Sequence, residues 1–256
     1  MTRLVRTEML EEGRVQRVVL AGGKGNIFSM AMMAAVTAAL DEHKDDPKLK
    51  LVVLEGEGAH FSFGASVEEH KKDAAAGMLA SFHRFIRGLA AHPVPVAALV
   101  RGQCLGGAFE VVTACHFVFC TSDAKFGCPE VKLGVFPPVL AAIGSLRLGH
   151  ALNERLLLTG ATLGADEAAR CGFVSKIVVD EAELFAWYRE HLAPLSAFAV
   201  RQATKVSRKA SGMLAALQGP LDEAERQYVA ELLPSHDANE GIASFLERRK
   251  PAWEDR

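Results

Sequence analysis

No apolar run in this sequence approaches the roughly 18 residues that a membrane-spanning helix needs. The start, Met1-Thr2-Arg3-Leu4-Val5-Arg6, lacks the apolar stretch of a secretory signal. Net charge is nearly absent: 29 basic residues against 31 acidic ones leave −2 at pH 7. Neither nucleic acid nor an acidic membrane is therefore expected as a partner. Cysteines number five, at irregular spacing and with no C-x-x-C, so neither a disulfide framework nor a zinc site is expected. They read as reduced thiols of a cytoplasmic protein, with Cys104 and Cys128 as buried, inert thiols near a candidate site. Several familiar motifs are missing. Gly22-Gly23-Lys24-Gly25-Asn26 fits neither G-x-G-x-x-G nor the Walker A pattern. There is no G-x-S-x-G elbow, and the nine histidines show no H-E-x-x-H or other ligand spacing, so no metal is expected. Glu247-Arg248-Arg249-Lys250 is too short for a nucleic-acid footprint, although it can hold a phosphate.

What is present is a large core. Half of the 256 residues are hydrophobic and 23% are charged, as in a globular chain of one large domain or a core with a small appendage. Residues 3–20 alternate around Glu11-Glu12-Gly13, which predicts a β-hairpin. Ser29 is placed to cap a helix reaching about His43, and Leu51–Leu54 reads as a buried strand closed by Gly56 and Gly58. Met78, Phe82, Phe85, Ile86 and Leu89 share one helical face, stopped by His92-Pro93. Val94–Val100 and Phe117–Phe119 read as strands, a helix starts at Gly106, and Asp180 caps another. After about residue 196 the signals are helical only: Ala197–Ala210, Leu221–Leu232 and Asp237–Arg249. The fold class expected is α/β, with residues 1–195 as core and 196–256 as a helical C-terminal region.

Two glutamates carry the chemical interest. Glu110 lies in the apolar run Ala108-Phe109-Glu110-Val111-Val112, where a carboxylate is costly unless it is paired or used. Glu130 follows Pro129, which alone is well explained as the acidic first turn of a helix. Paired carboxylates can hold water, deprotonate it and deliver a proton elsewhere. Gly106-Gly107 taken alone is ordinary turn punctuation. Beside an acid or base and a second N–H donor, it becomes a place where negative charge can develop. The second donor is sought in His60-Phe61-Ser62-Phe63-Gly64-Ala65-Ser66, a loop that follows a predicted strand, where Gly64 lets the Ala65 N–H point outward.

In this order the pieces resemble the crotonase (enoyl-CoA hydratase/isomerase) superfamily. The matching residues are Asn26, Phe61–Ala65, Arg101–Glu110, Ala124–Gly134, Leu158-Thr159-Gly160, Ala165–Val174 and Glu240–Arg249. His60–Val67, Arg101–Gly107, Leu133–Phe136, Ser235-His236-Asp237 and Trp253-Glu254 resemble a subgroup that hydrates a cyclic dienoyl-CoA thioester in anaerobic benzoyl-CoA degradation.

The resemblance implies a spiral of ββα turns with a C-terminal helical region that mediates a homotrimer or a dimer of trimers. It implies an acyl-CoA thioester as substrate, with no cofactor beyond the coenzyme A that substrate carries. The N–H groups of Ala65 and Gly107 would form the oxyanion hole, and Glu110 and Glu130 would be the two catalytic carboxylates. Asn26, Phe61, Phe63, Gly64, Ser66 and Gly106 would border the CoA groove, with Phe245, Arg249 and Lys250 completing it. Two departures stand out. Ser66 replaces an aspartate found in many relatives. Pro137-Pro138-Val139-Leu140-Ala141 replaces a glycine-rich turn that helps shape the acyl pocket, which fits a pocket remade for a ring. Alternatives are a generic 2-enoyl-CoA hydratase or isomerase and a non-catalytic CoA-thioester binder; retention of both glutamates argues against the binder.

Overall fold

The computed structural model describes residues 4–256, so Met1–Arg3, the first half of the start that lacks a signal-like apolar stretch, lie outside the described residues. A six-stranded sheet runs in the order β1-β2-β3-β4-β6-β9. β1 (Val5–Leu10) and β2 (Val15–Leu20) form the expected antiparallel hairpin, beginning inside the described part of the predicted segment. β3 (Leu51–Gly56), β4 (Val96–Val100), β6 (Phe117–Cys120) and β9 (Lys176–Ile177) follow in parallel. β3 and β4 are buried at every residue, as expected for parallel strands covered on both faces. Their alternate side chains enter two cores: Val52, Leu54, Val96 and Ala98 on one face, Leu51, Val53, Ala97 and Leu99 on the other.

A second sheet holds three short strands, β5 (Gln103–Leu105), β7 (Lys125–Gly127) and β8 (Thr162–Gly164), in the order β5-β7-β8. The two sheets are threaded alternately. β4 lies in the large sheet and β5 in the small one, followed by helix α3 (Gly107–Ala114). β6 and β7 repeat the step, followed by a 3-10 turn at Pro129–Leu133 and then α4 (Pro138–Leu148). This is the ββα spiral that the resemblance implies.

The larger face of the sheet is covered by α1 (Met30–Glu42) and α2 (Ala75–Ala90). The Ser29 hydroxyl accepts the Met32 N–H at 3.2 Å and starts α1. The predicted stripe Met78, Phe82, Phe85, Ile86 and Leu89 is buried. The opposite face is covered by α7 (Glu181–His191), capped by Asp180 as predicted. α5 (His150–Thr159) and α6 (Ala165–Arg170) lie between α4 and β9. From there the chain is helical: α8 (Ala197–Ala210), α9 (Met213–Ala216), α10 (Gly219–Gln227), a π-helical turn at Tyr228–Leu232, and α11 (His236–Leu246). Leu217, Leu221, Tyr228 and Ile242 from this segment join the main core.

Candidate active site

The loops that follow β3 and β4 are held together by their own backbone. Phe61 N–H donates to Arg101 O at 2.8 Å, Ser62 N–H to Gln103 O at 3.1 Å, and Leu105 N–H returns to Ser62 O at 3.1 Å. Arg101 ties the base of both loops by donating to Glu55 at 2.8 Å and to Gly56 O at 3.1 Å. Gly64 then turns with φ +99°, and a Cβ there would lie 2.6 Å from Leu105 O and 3.3 Å from Gly107 N. Only glycine fits this crossing. It brings the two donors together: a Cβ on Gly107 would sit 3.3 Å from Ala65 N. Among the described residues neither the Ala65 nor the Gly107 N–H has a protein acceptor. Gly107 is the first residue of α3, so its N–H belongs to the unsatisfied helix start, where the dipole favours negative charge.

Glu110 comes from the first turn of the same helix and is 3% exposed. Its Oε1 accepts the Leu140 N–H at 2.9 Å, at the start of α4. Glu130 comes from the 3-10 turn, and its Oε2 is buried without a hydrogen-bond partner. Gly106, with φ +55°, leaves room for it: a Cβ there would be 2.8 Å from Glu130 Oε1. Burial raises both carboxyls, Glu110 to about 7 and Glu130 to about 8. Glu130 is further raised by the charge of Glu110, whereas Glu110 is held down by the N–H groups of Leu140 and Val139. Near neutrality such a pair shares one proton, and its two titrations belong to the pair.

Both carboxylates face an inner chamber of about 20 Å³, lined also by Ala65, Gly107, Pro137 and Pro138. That is space for about one water molecule. An outer pocket of about 240 Å³ shares Ala65, Gly107 and Glu130 with it and is lined by Phe63, Gly106, Ile242 and Phe245. A groove of about 520 Å³ continues past Phe63 along Lys24, Gly25, Asn26 and His60.

The remaining candidates take different places. Asn26 lies at the groove, but its buried amide donates to the carbonyls of Glu57 at 3.1 Å, His60 at 3.3 Å and Phe61 at 3.1 Å. It ties the loops from beneath. The Phe61 ring is wholly buried in the core, away from the groove. The Ser66 hydroxyl is bonded to Glu68 at 3.2 Å. Phe63 is exposed where pocket and groove meet, and Phe245 is exposed on the outer pocket. The Arg249 guanidinium is engaged by Glu240 and Glu247, while Lys250 is exposed. Cys104 and Cys128 are buried, and burial pushes their thiols well up, so they stay protonated.

Two lining residues escaped sequence reasoning. His70 borders both chambers; its Nδ1 is 2.7 Å from Ser66 O, which fixes the proton on that nitrogen, and burial lowers its pKa. Tyr228 reaches the inner chamber from the π-helical turn, with its hydroxyl buried and without a partner. Burial first, then the charges of Glu130 and Glu110, raise its pKa, so it remains a neutral donor.

Comparison with known proteins identifies the family. The profile of the family described as enoyl-CoA hydratase/isomerase matches residues 12–256. The chain belongs to the enoyl-CoA hydratase/isomerase family. It is an enzyme, a hydro-lyase of the acyl-CoA hydratase kind. A cyclohexa-1,5-dienecarbonyl-CoA hydratase of Thauera aromatica is 44% identical over 246 residues, covering 96% of this chain and 95% of the relative. A probable enoyl-CoA hydratase of Mycobacterium bovis is 33% identical over 244 residues, covering 90% of each. Among solved structures, an enoyl-CoA hydratase from Mycobacterium avium subsp. paratuberculosis superposes with a TM-score of 0.84 at 26% identity, covering 98% of this chain and 99% of that one. The spiral and the C-terminal helices are therefore those of the family. No helix among the described residues is long and apolar enough to cross a membrane.

Proposed function

We propose that this hydratase adds water across cyclohexa-1,5-diene-1-carbonyl-CoA to give 6-hydroxycyclohex-1-ene-1-carbonyl-CoA. The observation that carries hydration is the meeting of Glu110 and Glu130, both raised towards neutrality, in one chamber beside two N–H groups without protein acceptors. The cyclic substrate is supported by the likeness to the Thauera relative and by the Pro137-Pro138 wall of that chamber.

In this reading the thioester oxygen accepts the N–H groups of Ala65 and Gly107. Water gives a proton to Glu110 as its oxygen bonds the β-carbon, and the electron pair of the double bond moves onto the thioester as an enolate held by the two donors. Through the second double bond the enolate extends to the far side of the ring. Glu130, the carboxyl held more strongly protonated, delivers its proton there, so water adds 1,4 across the diene. Glu110 ends protonated and Glu130 ionised; transfer of one proton within the pair restores the starting state.

The ring would occupy the outer pocket against Ile242 and Phe245, and the CoA chain would follow the groove past Phe63. Lys24, exposed on that groove, then lies closer to hand for a phosphate than Arg249, whose donors are spent on carboxylates. The reading includes assembly as a homotrimer or a dimer of trimers and needs no cofactor beyond substrate-borne CoA.

The test is a paired assay of the purified enzyme with cyclohexa-1,5-diene-1-carbonyl-CoA and crotonyl-CoA, followed by product mass and retention. Water addition to the diene with little turnover of crotonyl-CoA is the expected result. Turnover of crotonyl-CoA alone returns the chain to the generic enoyl-CoA hydratases, the activity named for the Mycobacterium bovis relative.

A further inference from the structure

A second set of polar groups lies at the other end of the large sheet from the candidate active site. The active-site loops follow the C-terminal ends of β3 and β4, whereas Pro95, His116 and Phe117 stand at the N-terminal ends of β4 and β6. There they border a cavity of about 420 Å³, with Arg147 from the last turn of α4 and Arg208 from α8.

The two arginines lack an acidic partner. Arg208 is 6% exposed; one of its terminal nitrogens donates to Ala114 O at 2.6 Å, and its Nε has no acceptor. Arg147 has a buried Nε without an acceptor, and its guanidinium lies 5.8 Å from the centre of the Phe173 ring. No carboxylate pairs with either arginine among the described residues. Neither charge is compensated: burial and then Arg147 lower Arg208 to about 10, and burial lowers Arg147. The nearby Cys115 thiol offers no compensation, because burial raises it to about 12 and it remains protonated.

His116 adds a third donor. Its Nδ1 accepts the Val96 N–H at 3.0 Å, so the ring proton is on Nε2, which is buried without an acceptor. Burial, with Arg208 and Arg147, lowers its pKa to about 2 and keeps the ring neutral. Ser207 supplies an exposed hydroxyl at the edge. The cavity is therefore lined by two arginines and a histidine that each bury an unpartnered N–H, with no opposing carboxylate among the described residues. Buried charges in proteins are normally paired, since an uncompensated one is costly.

We propose that this cavity is an anion-binding site for a single oxyanion of the carboxylate or phosphate type, held by Arg147, Arg208 and the Nε2–H of His116. The oxyanion is either free in solution or the acidic side chain of a second copy of the chain. Leu146 and Leu195, each 49% exposed at the rim, are compatible with the second source.

Melting curves of the wild type, Arg208→Met and Arg147→Met in phosphate and in chloride, at equal ionic strength, test the site; molecular mass is measured in parallel by light scattering. Arg147→Met is included because its half-buried position makes it the milder change. For a free anion, phosphate raises the wild-type Tm by about 2–5 °C, and both variants lose that response. For an anion from a second copy, the wild type is indifferent to phosphate and the variants form smaller assemblies. A phosphate response that persists in both variants belongs to another site, such as the CoA groove, and overturns the proposal. No phosphate response together with unchanged assembly in the variants also overturns it.

Discussion

Replacing Glu130 by glutamine should separate stability from activity. Its carboxyl has a raised pKa in the fold, so the folded state binds more protons than the unfolded one above the ordinary carboxylate range. Stability therefore falls as pH rises from about 4.5 towards about 8, and the loss is complete above that. Glu130→Gln is expected to melt higher than the wild type at pH 9, with the difference vanishing near pH 4, while hydration falls about 10²- to 10⁴-fold. Glu110→Gln should lose a comparable factor in kcat and retain thioester binding; unchanged hydration in either variant would remove the pair from the chemistry. The wild-type rate should trace a bell with limbs near 7 and 8, because it needs one carboxylate ionised and the other protonated. Tyr228→Phe keeps the ring packed on Phe136 and removes only the hydroxyl. Pro137 and Pro138 have no N–H, and the N–H groups of Val139 and Leu140 are directed at Glu110, so in the proposed reaction Tyr228 would be a neutral donor to the reacting oxygen. The variant should lose about 10-fold or more in kcat with KM little changed; an unchanged kcat would make the tyrosine purely structural. Glu110 was legible because a carboxylate stood in an apolar run. Tyr228 was not, since an aromatic residue in a helical stretch reads as core and only the fold brings its hydroxyl to the glutamates.

The elements that build the site differ in how plainly they are written. β3, β4 and the buried face of α2 are legible because their apolar patterns reach four or more residues. β5, β7 and β8 have only three residues each, too few for a period, and they are held as strands by pairing with distant segments. They were not read, yet β5 aims the Gly106-Gly107 turn. In the sequence α4 shows only as a proline-bearing departure; Pro137 caps it and Pro138 opens its first turn, where a missing N–H costs nothing. The loop before α2 gives the sharpest test at this scale. Gly64→Ala would force a Cβ against Leu105 O in a backbone conformation that suits glycine. The expected result is a loss of about 10²-fold or more in kcat/KM through displacement of the Ala65 N–H, with Glu110 and Glu130 still in place. Activity within a few-fold of wild type would show that Ala65 is not a donor to the thioester.

Across the whole molecule, the C-terminal helices serve the interior as well as the surface. Leu221, Tyr228 and Ile242 lie in the main core, whereas Phe198 and Val206 on α8 are 73% and 64% exposed. A chain-length pattern of helices was legible; which helices turn inward was not, because it depends on how α10 meets α4. Assembly into a trimer or a multiple of three should cover the α8 side chains, and Phe198→Asp should then lower the mass measured by light scattering; a wild-type monomer would contradict the reading.

α4 has an end in each of two distant chambers. Its first turn holds Glu110 through the Leu140 N–H, and its last turn carries Arg147. Eleven residues of α-helix make a rod of roughly 16 Å, too stiff for one end to shift along its axis without the other. A free anion drawn to the far end would thus be coupled mechanically to the basicity of the near one. Where the oxyanion is one free in solution, the turnover rate at saturating thioester should then respond to phosphate at fixed ionic strength in the wild type and lose that response in Arg147→Met.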